Sequence, residues 1–229
     1  MNYFLKRGAA EQMDTQSFAE HTKYFDVASL VPEGKRVLDV GCGCGQLGAL
    51  LKKKECIVNG VDISLDRLEF RKDYNMVWES NIENFNFNRT LGNYDVVVFS
   101  DVLEHLASAE SVLRKTNAIL AYGGRVIISL PNVAFFLNRW NLLRGRWDYA
   151  EEGILDRTHL KFFTLLTSKR LIENTGYQIH KIIPQIPVIH SPAKRAMFHF
   201  FMARWPRMCS IGWVFEASLA SGERSKNLF

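Results

Sequence analysis

Asp39-Val40-Gly41-Cys42-Gly43-Cys44-Gly45 places a carboxylate directly before a run of alternating glycines. Glycines let the backbone turn sharply and approach a ligand with no Cβ in the way. A helix starting just beyond them supplies unpaired N–H groups. Gly43, Gly45 and Gly48 also satisfy the G-x-G-x-x-G spacing of a dinucleotide loop. Asp62 follows Gly41 by 21 residues, where an acid at a strand end accepts hydrogen bonds from both ribose hydroxyls. Asp39 separates the ligand classes that share these features, because its charge repels a pyrophosphate and suits a cationic ammonium group. His105 and His159 are the candidates for moving a proton near neutral pH. Glu104 and Asp101 are placed to orient either imidazole, or to cap a short helix. Cys42 and Cys44, with no second cysteine pair, make a poor zinc site, so no metal is expected.

The elements that must hold these residues alternate along the chain. Residues 11–31 carry a helical pattern that stops before Pro32 and Gly34. Strands are expected at 36–40, 56–63, 76–80, 94–100 and 123–130, with helices at 46–54, 65–72 and 108–121. The near-continuous apolar runs at 94–100 and 123–130 suit strands covered on both faces. This rhythm predicts an α/β fold built on a doubly wound, parallel sheet. After Pro131 it breaks. Residues 133–164 are rich in aromatics and arginine with no evident strand, and then a helix (167–175), a strand (177–183), a helix (194–205) and a last strand (213–219) are expected.

Taken together, these segments resemble the class I S-adenosylmethionine-dependent methyltransferases. The matching residues are the glycine motif at 36–45, Gly60-Val61-Asp62-Ile63-Ser64, the Phe99-to-Leu106 segment, Gly123-Gly124-Arg125 and Pro131-Asn132. The resemblance spans about residues 24–184. It implies a Rossmann-like sheet, mostly parallel with one antiparallel strand near the C-terminus, and S-adenosyl-L-methionine as cofactor. By position, the implied cofactor residues are Asp39, Gly41, Cys42, Gly43, Gly45, Asp62 and Ile63, with Asn81, Ile82, Ser100, Asp101 and Leu103. One departure stands out: the acid that usually reads the adenine amino group is replaced by Asn81, whose amide oxygen accepts the same bond. The Gly153–Thr164 segment further resembles methionine-biosynthesis-W-like and ubiquinone-type methyltransferases, and enzymes encoded among surface-polysaccharide genes.

The resulting expectation is O-methylation of a sugar or glycan precursor, with a quinone-type or small-metabolite acceptor, or a non-catalytic partner protein, as the alternatives. The chain is read as one methyltransferase domain: a helical cap (1–34), a cofactor core (35–132), a substrate-facing insertion (133–164) and a C-terminal region (165–229). Tyr24, Asn132, Trp140, Trp147 and Arg157 are the expected acceptor contacts, and Phe135 and Phe136 join the two tryptophans as walls. Arg157 has an internal salt bridge to Asp156 or Glu152 as its competing role.

Composition bounds these readings. The 229 residues carry 29 Lys plus Arg against 24 Asp plus Glu, a net +5 too modest to announce a nucleic-acid partner. No apolar run reaches the ~18 residues of a membrane span, and the N-terminus does not read as a secretory signal. Four cysteines in a chain of this length make no disulfide framework. A reduced, cytoplasmic protein is expected. Lys194, Arg195, Arg204 and Arg207 lie among Phe198, Phe200, Phe201 and Trp205, a mixture suited to peripheral contact with a membrane or a lipid-linked substrate. Helical spacing also aligns Met197, Phe201 and Trp205 in a stripe, and covering the sheet is the expected role of that stripe.

Overall fold

The computed structural model describes residues 15–87, 92–187, 189 and 191–220. Seven strands, β1 (Arg36–Val40), β2 (Ile57–Asp62), β3 (Met76–Glu79), β4 (Tyr94–Ser100), β5 (Leu120–Pro131), β6 (Tyr177–Gln185) and β7 (Gly212–Leu219), form one sheet. Its order is β3-β2-β1-β4-β5-β7-β6, and β7 alone runs antiparallel, between β5 and β6. The Rossmann-like sheet with one antiparallel strand is as expected. Helices α1 (Thr15–Leu30), α2 (Gln46–Lys52), α3 (Ala109–Thr116), α4 (Phe136–Leu143), α5 (Leu165–Asn174), α6 (Pro192–Arg204) and α7 (Pro206–Cys209) complete the order.

Strand periodicity sorts the core into two layers. Leu38, Val97, Phe99, Val126 and Ile128 pack on the face that meets α3 and α5. Val37, Val96, Val98 and Ile127 pack with α1 and α2 on the other. Leu47 and Leu51, four apart on α2, seal that second layer. Asp39, two residues from Val37, therefore projects into the α2 layer as a buried carboxylate.

Two expected helices are shortened. Residues 65–72 hold only turns and a 3-10 segment, Arg71–Asp73. Eight residues barely offset the cost of nucleation, and here the backbone is claimed elsewhere: the Glu69 and Phe70 N–H groups both donate to the Cys44 carbonyl. The helix expected to Ala121 ends at Thr116, because the chain enters β5 at Leu120. A register shift between Tyr94 and Val96 absorbs the residues around Gly123, whose φ is 74°.

Helix α6 departs further from expectation. Among its described side chains none is buried, and Met197, Phe200, Phe201 and Trp205 are exposed instead of covering the sheet. Lys194's side chain and residues 1–14 and 221–229 lie outside the described parts.

Candidate functional site

A cavity of about 730 Å³ opens at the carboxyl ends of β1, β2 and β4, where parallel sheets of this kind bind ligands. Gly41, Gly43, Asp62, Asn81, Asp101 and His105 are among its walls. Gly43 has φ 50° and open space where a Cβ would stand, so the loop presents bare backbone to the cavity. The Gly43 N–H donates to Asp62 Oδ2 at 2.7 Å, and the Ser64 N–H to Oδ1 at 3.2 Å. Two backbone donors thus fix Asp62 at the wall with accepting capacity left on each oxygen. Ile63 and Ile82 also line the cavity. Asn81 does too, but its Oδ1 accepts from the Glu83 N–H at 2.9 Å. Its amide oxygen is already holding the turn, and one lone pair remains.

The remaining expected cofactor residues stand behind this wall. Gly45, at φ 89°, caps α2. Cys42 is buried in the α2 layer, and Leu103 is buried in the opposite layer. Burial pushes the Cys42 thiol up, with the Asp39 charge adding to it. Ser100 is buried, with no partner for its hydroxyl among the described residues. Asp39 differs most from expectation. Instead of facing a ligand's ammonium group, its Oδ2 accepts the Tyr74 hydroxyl at 2.6 Å, and the Tyr74 oxygen accepts from the Gly48 N–H at 3.2 Å. Burial pushes Asp39 up to about 7, against the Tyr74 hydrogen bond, and the Asp62 charge adds to the rise.

Asp101 supplies negative charge at the cavity itself. It follows β4 with φ 53°, a left-handed conformation uncommon for a side-chain-bearing residue. Its N–H donates to Ser129 Oγ at 2.9 Å, the Ser129 hydroxyl donates back to Oδ1, and Lys23 Nζ reaches Oδ2 at 2.6 Å. Burial alone raises such a carboxyl. The Lys23 charge and the Lys23 and Ser129 hydrogen bonds prevail, holding Asp101 below its ordinary range. Lys23 belongs to α1, so the N-terminal helix is tied to the cavity wall. Tyr24 sits beside it, with Lys23 Nζ 5.0 Å from its ring centroid. Burial pushes the Tyr24 phenol up to about 12, and the charges of Cys44, Asp39 and Asp101 contribute to that rise.

The two histidines, 54 positions apart in the chain, meet edge to face with ring centroids 4.7 Å apart. The insertion delivers His159: the Leu160 and Lys161 N–H groups both donate to the Glu104 carbonyl, at 2.9 and 3.0 Å. The Val133 N–H, bonded to the Phe163 carbonyl at 2.8 Å, ties the ends of the insertion together. His159 Nδ1 lies 3.2 Å from the Ile154 carbonyl, and Nε2 lies 3.9 Å from Glu104 Oε1. Burial lowers the His159 pKa, the His105 charge adding to the effect. Burial likewise drives the Glu104 carboxyl well above its ordinary value, helped by the Asp101 charge.

The expected acceptor contacts divide. Trp147 packs on Phe162 at 5.4 Å, and Phe162 in turn lies 6.1 Å from the His159 ring. That chain of rings connects the insertion to the histidines. Trp140 is half exposed, under the Arg144 guanidinium at 4.4 Å. Phe135 is buried against the partly exposed Phe136. Asn132 is not available to an acceptor. Its amide nitrogen donates to the Arg207 and Ser210 carbonyls and its oxygen accepts from the Ala134 N–H, so it pins the start of the insertion. Arg157 pairs with Glu151 at 2.5 Å, a different acid from the two expected, on the exposed rim.

Sequence reasoning missed Tyr74 and Lys23. Neither stands in a motif, and no local pattern links them to Asp39 and Asp101.

Comparison with known proteins agrees with this geometry. A family model described as a methyltransferase domain matches residues 9–182. A ubiquinone biosynthesis O-methyltransferase of Coxiella burnetii is 28% identical over 166 residues, covering 66% of this chain and 70% of that protein. The crystal structure of an S-adenosylmethionine-dependent methyltransferase from Mesorhizobium loti matches with TM-score 0.60 at 16% identity, covering 89% and 99% of the two chains. That of magnesium protoporphyrin IX methyltransferase from Synechocystis, with bound S-adenosylhomocysteine, matches with TM-score 0.58 at 18% identity, covering 96% and 89%. The sheet order, the glycine loop held by Asp62 and the family match over most of the chain converge: this chain belongs to the methyltransferase domain family.

Proposed function

We propose that the protein transfers a methyl group from S-adenosylmethionine to a hydroxyl oxygen of a phenolic acceptor carrying an apolar portion. The observation that carries this reading is the His105–His159 pair: His105 lines the Asp62 and glycine-loop cavity, and the insertion brings His159 against it. The cavity fits the cofactor. Asp62 offers two oxygens for ribose hydroxyls, Gly43 leaves room along the loop, and Asp101 supplies a carboxylate suited to an ammonium group. When bound, the cofactor supplies a methyl group already activated on a sulfonium. The chain must then align the acceptor and take up its proton. His159, kept neutral at ordinary pH by burial, accepts that proton through Nε2, while its Nδ1–H is held by Ile154.

The acceptor class follows from what surrounds the histidines. Trp147, Phe162 and Tyr149 cluster in the insertion, and aromatic rings favour a flat phenol over a polyhydroxylated sugar. Leu137, Trp140 and Leu143 on α4 and Phe200 and Phe201 on α6 are exposed apolar residues, which support an amphiphilic acceptor reached at a lipid surface. Similarity to the Coxiella ubiquinone biosynthesis O-methyltransferase points the same way. No helix among the described residues is long and apolar enough to cross a membrane. Calorimetry with S-adenosylhomocysteine, followed by methyl-transfer assays on phenols with and without an alkyl tail, tests the reading. Cofactor binding with turnover of tailed phenols is expected; turnover confined to amines or sugars would overturn it.

A further inference from the structure

Glu104 is fully buried, yet among the described residues neither of its carboxylate oxygens has a hydrogen-bond partner. Buried polar atoms are nearly always satisfied, and an unmet carboxylate is costly to bury. His159 Nε2, at 3.9 Å from Oε1, is too far for a hydrogen bond. His105 completes the group: Glu104, His105 and His159 each offer one ligand atom, and these atoms lie within 4.8 Å of one another.

We propose that Glu104, His105 and His159 bind one divalent first-row transition cation, of the Zn²⁺ class, at the acceptor end of the cofactor cavity. Two imidazoles and a carboxylate are a donor set for such a cation, which prefers nitrogen and oxygen ligands of this type. A tetrahedral ion with bonds of about 2.1 Å needs donors roughly 3.4 Å apart, so no pair of the trio must close by more than about 1.4 Å. Side-chain rotation of that size needs no change of backbone.

The hydrogen bonds behind the imidazoles support the assignment. Thr158 Oγ1 donates to Asp156 Oδ1 at 2.6 Å, which leaves its oxygen to accept from His105 Nδ1–H at 3.1 Å. His159 Nδ1 is oriented by the Ile154 carbonyl at 3.2 Å. Both rings are thereby held as the Nδ1–H tautomer, and each turns an Nε2 lone pair free. Backing of metal-bound imidazoles by a carbonyl or a carboxylate-linked group is the usual arrangement. His105 also lines the cavity, so coordination positions beyond these three protein ligands open toward the acceptor oxygen. The sequence offered no metal-binding pattern, because Glu104 and His105 are neighbours and the third ligand comes from the insertion.

This inference rests on the functional reading of the same site and revises one role in it. With the ion bound, His159 Nε2 holds the metal, and the metal's charge eases loss of the acceptor proton in place of uptake by that imidazole. The two readings fail separately. Protein stripped with a chelator is titrated with Co²⁺, read by its visible d–d absorption, and with Zn²⁺, read by calorimetry, in the absence of acceptor. S-adenosylhomocysteine affinity is measured in parallel as the check on fold and cofactor site. One ion per chain is expected. Glu104→Gln, His105→Ala and His159→Ala should each weaken Zn²⁺ by about 100-fold or more, and Thr158→Ala by about 10-fold. S-adenosylhomocysteine binding should persist in His105→Ala and Thr158→Ala. Protein that binds S-adenosylhomocysteine but shows neither Co²⁺ absorption nor Zn²⁺ heat would overturn the metal site while leaving the methyltransferase reading intact. So would variants that bind Zn²⁺ as tightly as the parent chain.

Discussion

Tyr74, in the turn before β3, donates its hydroxyl to the buried Asp39 of β1 at 2.6 Å, and two glycines make room for its ring. A Cβ on Gly48 would overlap that ring, and one on Gly60 would sit 3.0 Å from it. The third glycine of the G-x-G-x-x-G spacing therefore serves an internal tyrosine that locks the acid preceding the loop.

Removing that hydroxyl with Tyr74→Phe should cost about 1–3 kcal/mol in urea denaturation, the penalty for an unmet buried acceptor. Asp39 also sets a pH dependence. Its folded pKa of about 7 exceeds the unfolded value of about 3.9. Between those values the folded chain binds more protons, so stability falls as pH rises through the window, by at most about 1.4 kcal/mol per unit. Asp39→Asn should flatten this slope; an unchanged slope would assign it to other groups.

Two alanine substitutions in the glycine loop should separate packing from ligand approach. Gly48→Ala should destabilise the fold by about 1–3 kcal/mol, because its Cβ would overlap the Tyr74 ring, whose hydroxyl is held by Asp39. Gly43→Ala meets no protein atom and should cost only about 1 kcal/mol for its positive φ, yet weaken S-adenosylhomocysteine binding by filling the cavity. Equal losses of stability in the two variants would refute the distinction.

Lys23 and Asp101 should behave as a coupled pair. Lys23→Met leaves the part-buried Asp101 carboxylate without its countercharge, a loss below the ~3–5 kcal/mol of fully enclosed pairs. Asp101→Asn added to it should recover part of that loss. A double-mutant cycle on thermal stability checks the coupling, and strictly additive effects would show that the ion pair contributes nothing.

His159→Ala and His105→Ala should each lower kcat by about 100-fold with little effect on S-adenosylhomocysteine affinity. In the metal-free chain the rate should fall on the acid side only below the ordinary histidine value, because burial lowers the His159 pKa. A full rate in His159→Ala would remove it from the mechanism.

Anionic vesicles should retain the protein at low salt and release it at high salt, through Arg195, Arg204 and Arg207 beside exposed Phe200 and Trp205. Neutralising the three arginines should abolish flotation. Protein that never floats would leave α6 without a lipid role.

The sequence by itself determined the sheet and the loop. Apolar strand runs such as 94–100, the glycines after β1 and Asp62 after β2 are local patterns, and periodicity reads them directly. It also brought forward both histidines and named Glu104 as a neighbour able to orient them. Tertiary structure alone decided where the side chains point. Asp39 turns to the α2 layer because strand residues alternate faces, and its partner Tyr74 comes from beyond β2. Asn132 is consumed by carbonyls 75 and 78 positions away. Lys23 reaches Asp101 across 78 positions. His105 and His159 meet because the insertion hydrogen-bonds to the Glu104 carbonyl. Such pairings depend on how separate elements dock, and no local spacing encodes that.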